Sequence, residues 1–244
     1  VLPKKLNSSD TPVIENPGVL VVIGANGSGK SSFGKDIVSR YSDYAVNISG
    51  MRALFITSDT LTLKTLAAER SSISMLSEYQ KLTLRLQQEE FETAVNYKEI
   101  SKTSPGLPPP ITKIDIIQGI WEKMFPHTRL VRKSGFFELT STSRDGDSYT
   151  AERMSDGEKI VFYLIGAILC AKPNAILIIE EPEVLLHDSI KNTLWNEIES
   201  CRPDCTYIYL THDIAFATAR SEGKRIWVRS YEADEQCWDY EIIE

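Results

Sequence analysis

A glycine-rich run early in the sequence carries the residue types that bind phosphate. It reads GANGSGKS and is followed by a second serine, so it comprises Gly24, Ala25, Asn26, Gly27, Ser28, Gly29, Lys30, Ser31 and Ser32. Glycines let backbone N–H groups wrap around phosphate, Lys30 can reach the β- and γ-phosphates, and the Ser31 hydroxyl can bind Mg²⁺. A strand pattern precedes the run and a helix pattern follows it, which disfavours an ordinary Gly-rich turn. The run therefore predicts a site for ATP and Mg²⁺.

Two adjacent carboxylates follow an apolar stretch of strand length later in the chain. In AILIIEEPE, Glu180 and Glu181 come after five apolar residues, and Pro182 breaks the strand. Open parallel sheets bind ligands at the carboxyl ends of their strands. We predict that Glu180 holds Mg²⁺ and that Glu181 orients and deprotonates the attacking water, with Lys30 as a second catalytic residue. The alternative is a solvated acidic loop.

A histidine ends another apolar strand pattern, in the motif LTHD. A lone histidine is more often structural or solvated. His212, however, is expected at the same sheet edge as Glu180 and Glu181, where it can hydrogen-bond a γ-phosphate. We therefore predict that His212 is a further catalytic residue.

The motif MSDGEK precedes a helix pattern that is apolar nearly all round. Ser155, with Glu158 three residues later, forms an ordinary capping box. The same exposed helix N-terminus, with Gly157, can also bind an anion. One chain cannot easily bring this helix end onto its own phosphate-binding loop. The second interpretation therefore predicts that Ser155 and Gly157 bind a nucleotide held by a second copy.

The surrounding patterns predict an α/β fold with a mainly parallel sheet. Strand patterns cover residues 19–23, 44–48, 175–179 and 206–210, and helix patterns cover residues 31–40, 160–171 and 190–199. Apolar residues at helical spacing, followed by a helix capped by Thr112 with Asp115, predict a helical insertion at about 60–126. Two β stretches, at 128–143 and 149–154, and a terminal hairpin complete one predicted domain, 1–244.

The composition fits a globular domain and bounds its partners. The chain has 244 residues and a net charge of -7, which does not support DNA binding by the surface as a whole but leaves a local basic groove open. Four scattered cysteines complete no zinc pattern and fit a reducing compartment. The sequence shows no apolar run long enough to span a membrane and no secretory leader, so we expect a cytoplasmic protein without a membrane partner.

Taken in order, these motifs resemble those of the ABC ATPase superfamily, in the branch that contains SMC, RecF and OLD-type ATPases. GANGSGKS is similar to the Walker A motif, MSDGEK to the signature motif, and IIEEPE to an OLD-type Walker B in which Glu180 replaces the usual aspartate. LLHD, at 185–188, stands at the D-loop position, and THD matches the switch histidine. The resemblance implies a P-loop NTPase core with an inserted helical subdomain. It also implies Mg²⁺-dependent ATP hydrolysis in a homodimer or higher oligomer that closes ATP between its copies.

The connecting sequence narrows the resemblance. The run NTLWNEIESCRPDCTYIYLTHDIAFA, after SDGE and IIEEPE, is similar to prokaryotic anti-phage-defence ATPases that are fused to or partnered with a TOPRIM-like nuclease domain. This implies an effector nuclease, in cis or in trans. Two features depart from the superfamily pattern. Met51 stands where a Q-loop glutamine is expected, and no aromatic residue is marked out to stack on adenine.

Other functions fit parts of the same pattern. One is a regulatory ATP-binding module that hydrolyses slowly or not at all, which Glu180 permits because its longer side chain displaces the carboxylate. Another is a DNA-repair clamp of the SMC or RecF type. A small-molecule kinase with a P-loop gives no reason for SDGE or THD. The insertion and the SDGE motif disfavour a transporter subunit.

Overall fold

The computed structural model describes residues 1–8, 12–15, 17–51, 78–133, 136–141, 148–150 and 154–243. The chain forms two compact units, one made of Val1–Gly50 and Ala171–Glu244 and the other of Met51–Cys170. The predicted insertion, at about 60–126, falls within the range of the second unit, and its part before residue 78 lies outside the described residues.

The helices and strands follow one another along the chain with the following bounds. They are β1 (Val19–Ile23), α1 (Lys30–Arg40), β2 (Ala45–Ser49), α2 (Glu78–Thr103), α3 (Lys113–Met124), β3 (Thr128–Lys133), β4 (Phe136–Ser141), β5 (Ser148–Thr150), α4 (Asp156–Leu169), β6 (Ile176–Glu180), α5 (Asp188–Cys201), β7 (Thr206–Thr211), α6 (Ile214–Thr218), β8 (Lys224–Glu232) and β9 (Cys237–Ile243). Helix α6, which Asp213 caps, is an element that the sequence pattern does not predict.

The first unit is built on a six-stranded sheet with the order β2-β6-β7-β1-β8-β9. Neighbouring strands are parallel except for β8 and β9, which form the predicted terminal hairpin. Val21, Val22 and Ile178 in its central strands are fully buried. Burial on both faces explains why these strands are continuous apolar runs. The predicted α/β fold with a mainly parallel sheet is confirmed.

Helix α1 begins directly after the glycine-rich loop and packs closely on the sheet. Phe33 and Ile37 are buried in the apolar core of this unit. A Cβ atom added at Gly34 would lie 2.7 Å from Leu210 Cδ1 and 2.9 Å from Ile178 Cγ2. Glycine at this position therefore lets α1 approach β6 and β7, the strands that lead to Glu180 and His212.

In its described residues, the second unit combines the helices α2, α3 and α4 with an antiparallel sheet of order β3-β4-β5. Helix α2 spans 26 residues and buries Tyr79, Leu82 and Leu86 near its start. Helix α3 begins at the predicted cap, because the Thr112 side chain accepts a hydrogen bond from the backbone N–H of Asp115 and the Asp115 carboxylate accepts one from the backbone N–H of Thr112. None of the described helices is both long and apolar enough to cross a membrane.

The β stretch predicted at 128–143 contains two strands. Strands β3 and β4 pair in antiparallel register, with Thr128 opposite Ser141 and Lys133 opposite Phe136. The sequence instead predicts a chain reversal between the two β stretches, at Asp145 and Gly146, because Asp-Gly is a strong hairpin signal. That pair, at 145–146, lies outside the described residues. Strand β5 shares residues 149 and 150 with the second predicted β stretch, and residues 151–153 of that stretch lie outside the described residues.

Replacing Gly34 tests the close approach of α1 to the sheet. We expect Gly34→Val to lower the free energy of unfolding by about 1–3 kcal/mol, because the added side chain overpacks the core. Gly119→Val is the matched control, since Gly119 is also helical and an added Cβ there meets no atom within 4 Å. Urea unfolding followed by circular dichroism measures both. Equal stability of the two variants would contradict the packing described here.

Candidate functional site

The predicted phosphate-binding loop connects β1 to α1 in the first unit. Its Gly24 N–H donates to the carbonyl oxygen of Thr211, 3.3 Å away, so the loop is tied to the end of β7. A Cβ atom at Gly24 would lie 2.6 Å from the carbonyl oxygen of Val228 on β8. Gly27 and Gly29 have φ angles of 82° and 93°, which L side chains rarely adopt. The loop conformation therefore depends on its glycines.

Lys30 is the first residue of α1, directly after this loop, and its ammonium group binds the loop backbone. Its Nζ atom donates to the carbonyl oxygens of Gly24 and Ala25, both at 2.8 Å. Burial lowers the pKa of Lys30, and the carboxylates of Glu181 and Glu183 act in the opposite direction. The ammonium group is therefore held by weak neutral acceptors that an anionic phosphate can replace.

An open cleft brings the loop together with both predicted carboxylates. Its volume is about 390 Å³, and its lining includes Lys30, Ser31, Glu180 and Glu181. The Ser31 hydroxyl and the Glu180 carboxylate provide the oxygen ligands that Mg²⁺ prefers. Among the described residues, no group of three or more His, Cys, Asp or Glu side chains could hold a metal. The donor set fits Mg²⁺ shared between one carboxylate, one hydroxyl and substrate phosphates.

The orientation of Glu180 is set by a neighbour on the adjacent strand. The Nδ2 atom of Asn47, on β2, donates to Glu180 Oε1 at 2.7 Å. The parallel register places Asn47 opposite Ile178, which lies on the same face of β6 as Glu180 and precedes it by two residues. Sequence reasoning missed Asn47, although a polar residue inside the apolar run YAVNI was the available signal.

Glu181 leaves the strand in a left-handed backbone conformation, with a φ angle of 50°. Its N–H donates to the carbonyl oxygen of Leu210 at 2.9 Å, which fixes this conformation against β7. A non-glycine residue at positive φ stores strain of order 1–3 kcal/mol and is frequent at functional sites. The exposed carboxylate of Glu181 therefore projects from a fixed backbone into the cleft.

Glu183 is a site residue that the sequence does not single out. Its Oε1 atom accepts a hydrogen bond from Thr211 Oγ1 at 2.8 Å and lies 3.3 Å from Nδ1 of His212. The Glu183 side chain is only 9% exposed. The sequence feature that could have identified it is its position as the third acidic residue of the motif EEPE. Glu183 therefore links the carboxylate segment to the predicted switch histidine.

His212 directly follows β7, as predicted, but is not part of the cleft lining, to which that strand contributes Leu210. Its imidazole is 46% exposed and contacts Glu183. The structure thus brings the histidine beside the carboxylate segment rather than into the cleft.

Ser155 caps helix α4 in the second unit. Its side chain accepts a hydrogen bond from the N–H of Glu158, and the Glu158 carboxylate accepts hydrogen bonds from the Ser155 N–H at 2.7 Å and the Ser155 hydroxyl at 2.8 Å. The predicted capping box is confirmed. Ser155 is exposed, Gly157 is half-buried, and the Glu158 carboxylate occupies the positive end of the helix.

Removing Lys30 tests the phosphate cradle. We expect Lys30→Ala to abolish ATP binding, because it removes the cation that reaches the phosphates. Lys35→Ala, at an exposed lysine of the same helix, should bind ATP normally. Isothermal titration calorimetry measures both. Unaltered ATP affinity of Lys30→Ala would refute the assignment of this loop.

Comparison with solved structures finds two SMC head domains, the first of which supports the same fold. A domain of the SMC head, bound to the C-winged helix domain of ScpA, is 16% identical and matches with a TM-score of 0.52, covering 92% of this chain and 90% of that chain. The SMC head domain from Thermotoga maritima is 11% identical and has a TM-score of 0.47, and the match covers 93% of this chain and 90% of that chain. None of the curated proteins compared with the chain matches it.

One protein family matches the sequence itself. Its description is "AAA domain, putative AbiEii toxin, Type IV TA system", and the match covers residues 74–217. The match covers more than half of the chain, and it includes the Ser155 cap, both cleft carboxylates and His212. The chain therefore belongs to this AAA domain family, and it is a P-loop domain of the ATPase type with an SMC-head-like fold.

Proposed function

We propose that the chain hydrolyses ATP in a homodimer that closes ATP between its two copies. In this proposal the dimer acts as a sensor, clamp or scaffold in anti-phage defence, with a nuclease in cis or in trans as its candidate effector. The observation that carries the proposal is the cleft in which Lys30 and Ser31 meet Glu180 and Glu181.

Each residue of the cleft has a role in this chemistry. The loop N–H groups and Lys30 bind the β- and γ-phosphates, and Glu181 orients the attacking water and accepts its proton. Ser31 and Glu180 would hold Mg²⁺, which neutralises charge developing between the β- and γ-phosphates. His212, held by Glu183, hydrogen-bonds the γ-phosphate once the two copies close, because its imidazole lies beside the carboxylate segment.

The dimer is supported by the N-terminus of α4. Ser155 and Gly157 present backbone N–H groups and the positive end of a 14-residue helix. In the proposed dimer this helix end binds the γ-phosphate held by the other copy. The Glu158 carboxylate now accepts the Ser155 hydrogen bonds, so phosphate binding requires Glu158 to turn away.

The defence role is supported by the description of the matched family, which names a putative toxin and a Type IV TA system. A DNA-repair clamp is a weaker candidate, since a net charge of -7 does not favour contact with a polyanion.

A regulatory module that hydrolyses ATP slowly is a second candidate. Glu180 stands where Walker B motifs usually have aspartate, and Asn47 already binds one of its two carboxylate oxygens. That contact leaves less of the carboxylate for a metal ion. Single-turnover hydrolysis distinguishes this candidate from an active ATPase.

Amide substitutions separate the roles of the two cleft carboxylates. We expect Glu181→Gln to bind ATP and lose hydrolysis by about 100-fold or more, because the water loses its base. Glu180→Gln should instead weaken Mg²⁺-dependent binding. Glu222→Gln, at an exposed glutamate away from the cleft, is the control. Single-turnover assays with radiolabelled ATP give the rates, and a wild-type rate for Glu181→Gln would remove Glu181 as the base.

Substitutions at Ser155 separate helix capping from phosphate binding. Asp caps helices as well as Ser does, but its carboxylate repels phosphate. We therefore expect Ser155→Asp to keep its ATP binding while losing ATP-dependent association, and Ser155→Arg to lose that association by blocking the helix end. Ser221→Asp is the control, at an exposed serine outside α4.

Light scattering with ATP, ADP and a non-hydrolysable analogue measures the association. The proposal requires assembly that depends on the γ-phosphate. If Ser155 is only a cap, Ser155→Asp will assemble normally and Ser155→Arg will lose about 0.5–2 kcal/mol of stability without any change in assembly.

A further inference from the structure

We propose that Tyr231 supplies the face on which the purine base of the bound nucleotide stacks. This inference rests on the proposed function, because it adds the base contact to the same cleft. Tyr231, on β8, lines the cleft with Gly29, Lys30 and Ser32. The rest of the described lining consists of other loop residues, the two carboxylates and Leu210, so Tyr231 provides its aromatic surface.

The order of the strands decides which end of the nucleotide meets Tyr231. Strand β1, which leads into the phosphate-binding loop, lies between β7 and β8, and β6 lies beyond β7. Glu180 and Glu181 therefore approach the phosphate cradle from the β7 side of β1, and Tyr231 approaches it from the β8 side. Hydrolysis requires the γ-phosphate to face Glu181. The ribose and base must then extend in the opposite direction, toward Tyr231.

Packing holds the Tyr231 ring in place before any nucleotide binds. Its centroid lies 4.6 Å from that of Trp238, and the two planes are inclined by 31°. Trp238 is itself buried, with Phe33 edge-on against it at 5.8 Å. Tyr231 is half-buried, so part of its side chain stays open to the cleft. A ring that is already ordered loses little entropy when a base stacks on it.

Tyr231 also supports the loop backbone, and the two roles involve different atoms. A Cβ atom added at Gly29 would lie 2.3 Å from Tyr231 Cβ, which shows how closely that atom approaches the loop. The Trp238 indole N–H donates to the Gly29 carbonyl oxygen at 3.1 Å. Tyr231→Ala keeps the Cβ atom beside Gly29 and removes the ring. This substitution therefore isolates stacking from support of the loop.

The test compares ATP with inorganic tripolyphosphate, which has the phosphates without the base. We expect Tyr231→Ala to weaken ATP binding roughly 5- to 150-fold, the range of base–aromatic stacking, and to leave tripolyphosphate binding unchanged. Tyr231→Phe should recover most of the ATP affinity because it keeps the ring. Tyr44→Ala is the control, at a 57% exposed tyrosine outside the cleft. Isothermal titration calorimetry measures all four proteins.

Three outcomes would overturn the inference while leaving the phosphate-binding loop intact. The first is wild-type protein that binds tripolyphosphate as tightly as ATP, so that the base contributes nothing. The second is Tyr231→Ala with unchanged ATP affinity. The third is an equal loss of ATP and tripolyphosphate affinity in Tyr231→Ala, which would make Tyr231 a support of the loop alone. Failure of the wild-type protein to bind either compound would instead overturn the proposed function, and this inference with it.

Discussion

The contact between the Gly29 backbone and side chains of the terminal hairpin is the constraint on which the cleft depends. The Trp238 indole binds the Gly29 carbonyl oxygen, and the Tyr231 Cβ atom leaves no room for a side chain at Gly29. The contact joins residues 209 positions apart and fixes the point at which α1 begins. Because Lys30 and Ser31 are the first residues of that helix, their positions follow from it. The hairpin therefore shapes the cleft, although its residues belong to no phosphate-binding motif.

The carboxyl edge of the sheet supplies the remaining chemistry. Parallel strands end at the same edge, so β6 and β7 deliver their last residues next to the loop that follows β1. Polar neighbours then orient the reactive side chains: Asn47 holds Glu180, and Glu183 joins Thr211 to His212. Glu183 thus connects the carboxylate segment with the histidine loop.

The sequence predicts the parts of the site that depend on local signals. The glycine-rich loop, the strand before it and the Thr112 and Ser155 caps are set by residues a few positions apart, and the structure has them as predicted. The contact between Asn47 and Glu180 joins residues 133 positions apart through strand pairing. Its existence depends on strand order and register, which periodicity does not specify. Tyr231 is not predictable from the sequence for the same reason, because the parallel pairing of β8 with β1 is what brings it to the cleft.

The proposed dimer gives the exposed cap of α4 a function that helix stability alone does not require. The central claim is that nucleotide joins two copies of the chain with one ATP at each of two shared sites. Native mass spectrometry with Mg²⁺ and a non-hydrolysable ATP analogue tests it most directly, because it counts chains and nucleotides together. We predict a complex of two chains and two nucleotides, or a multiple of it, that is absent with ADP. Single chains that each carry one nucleotide at every protein concentration would contradict the claim.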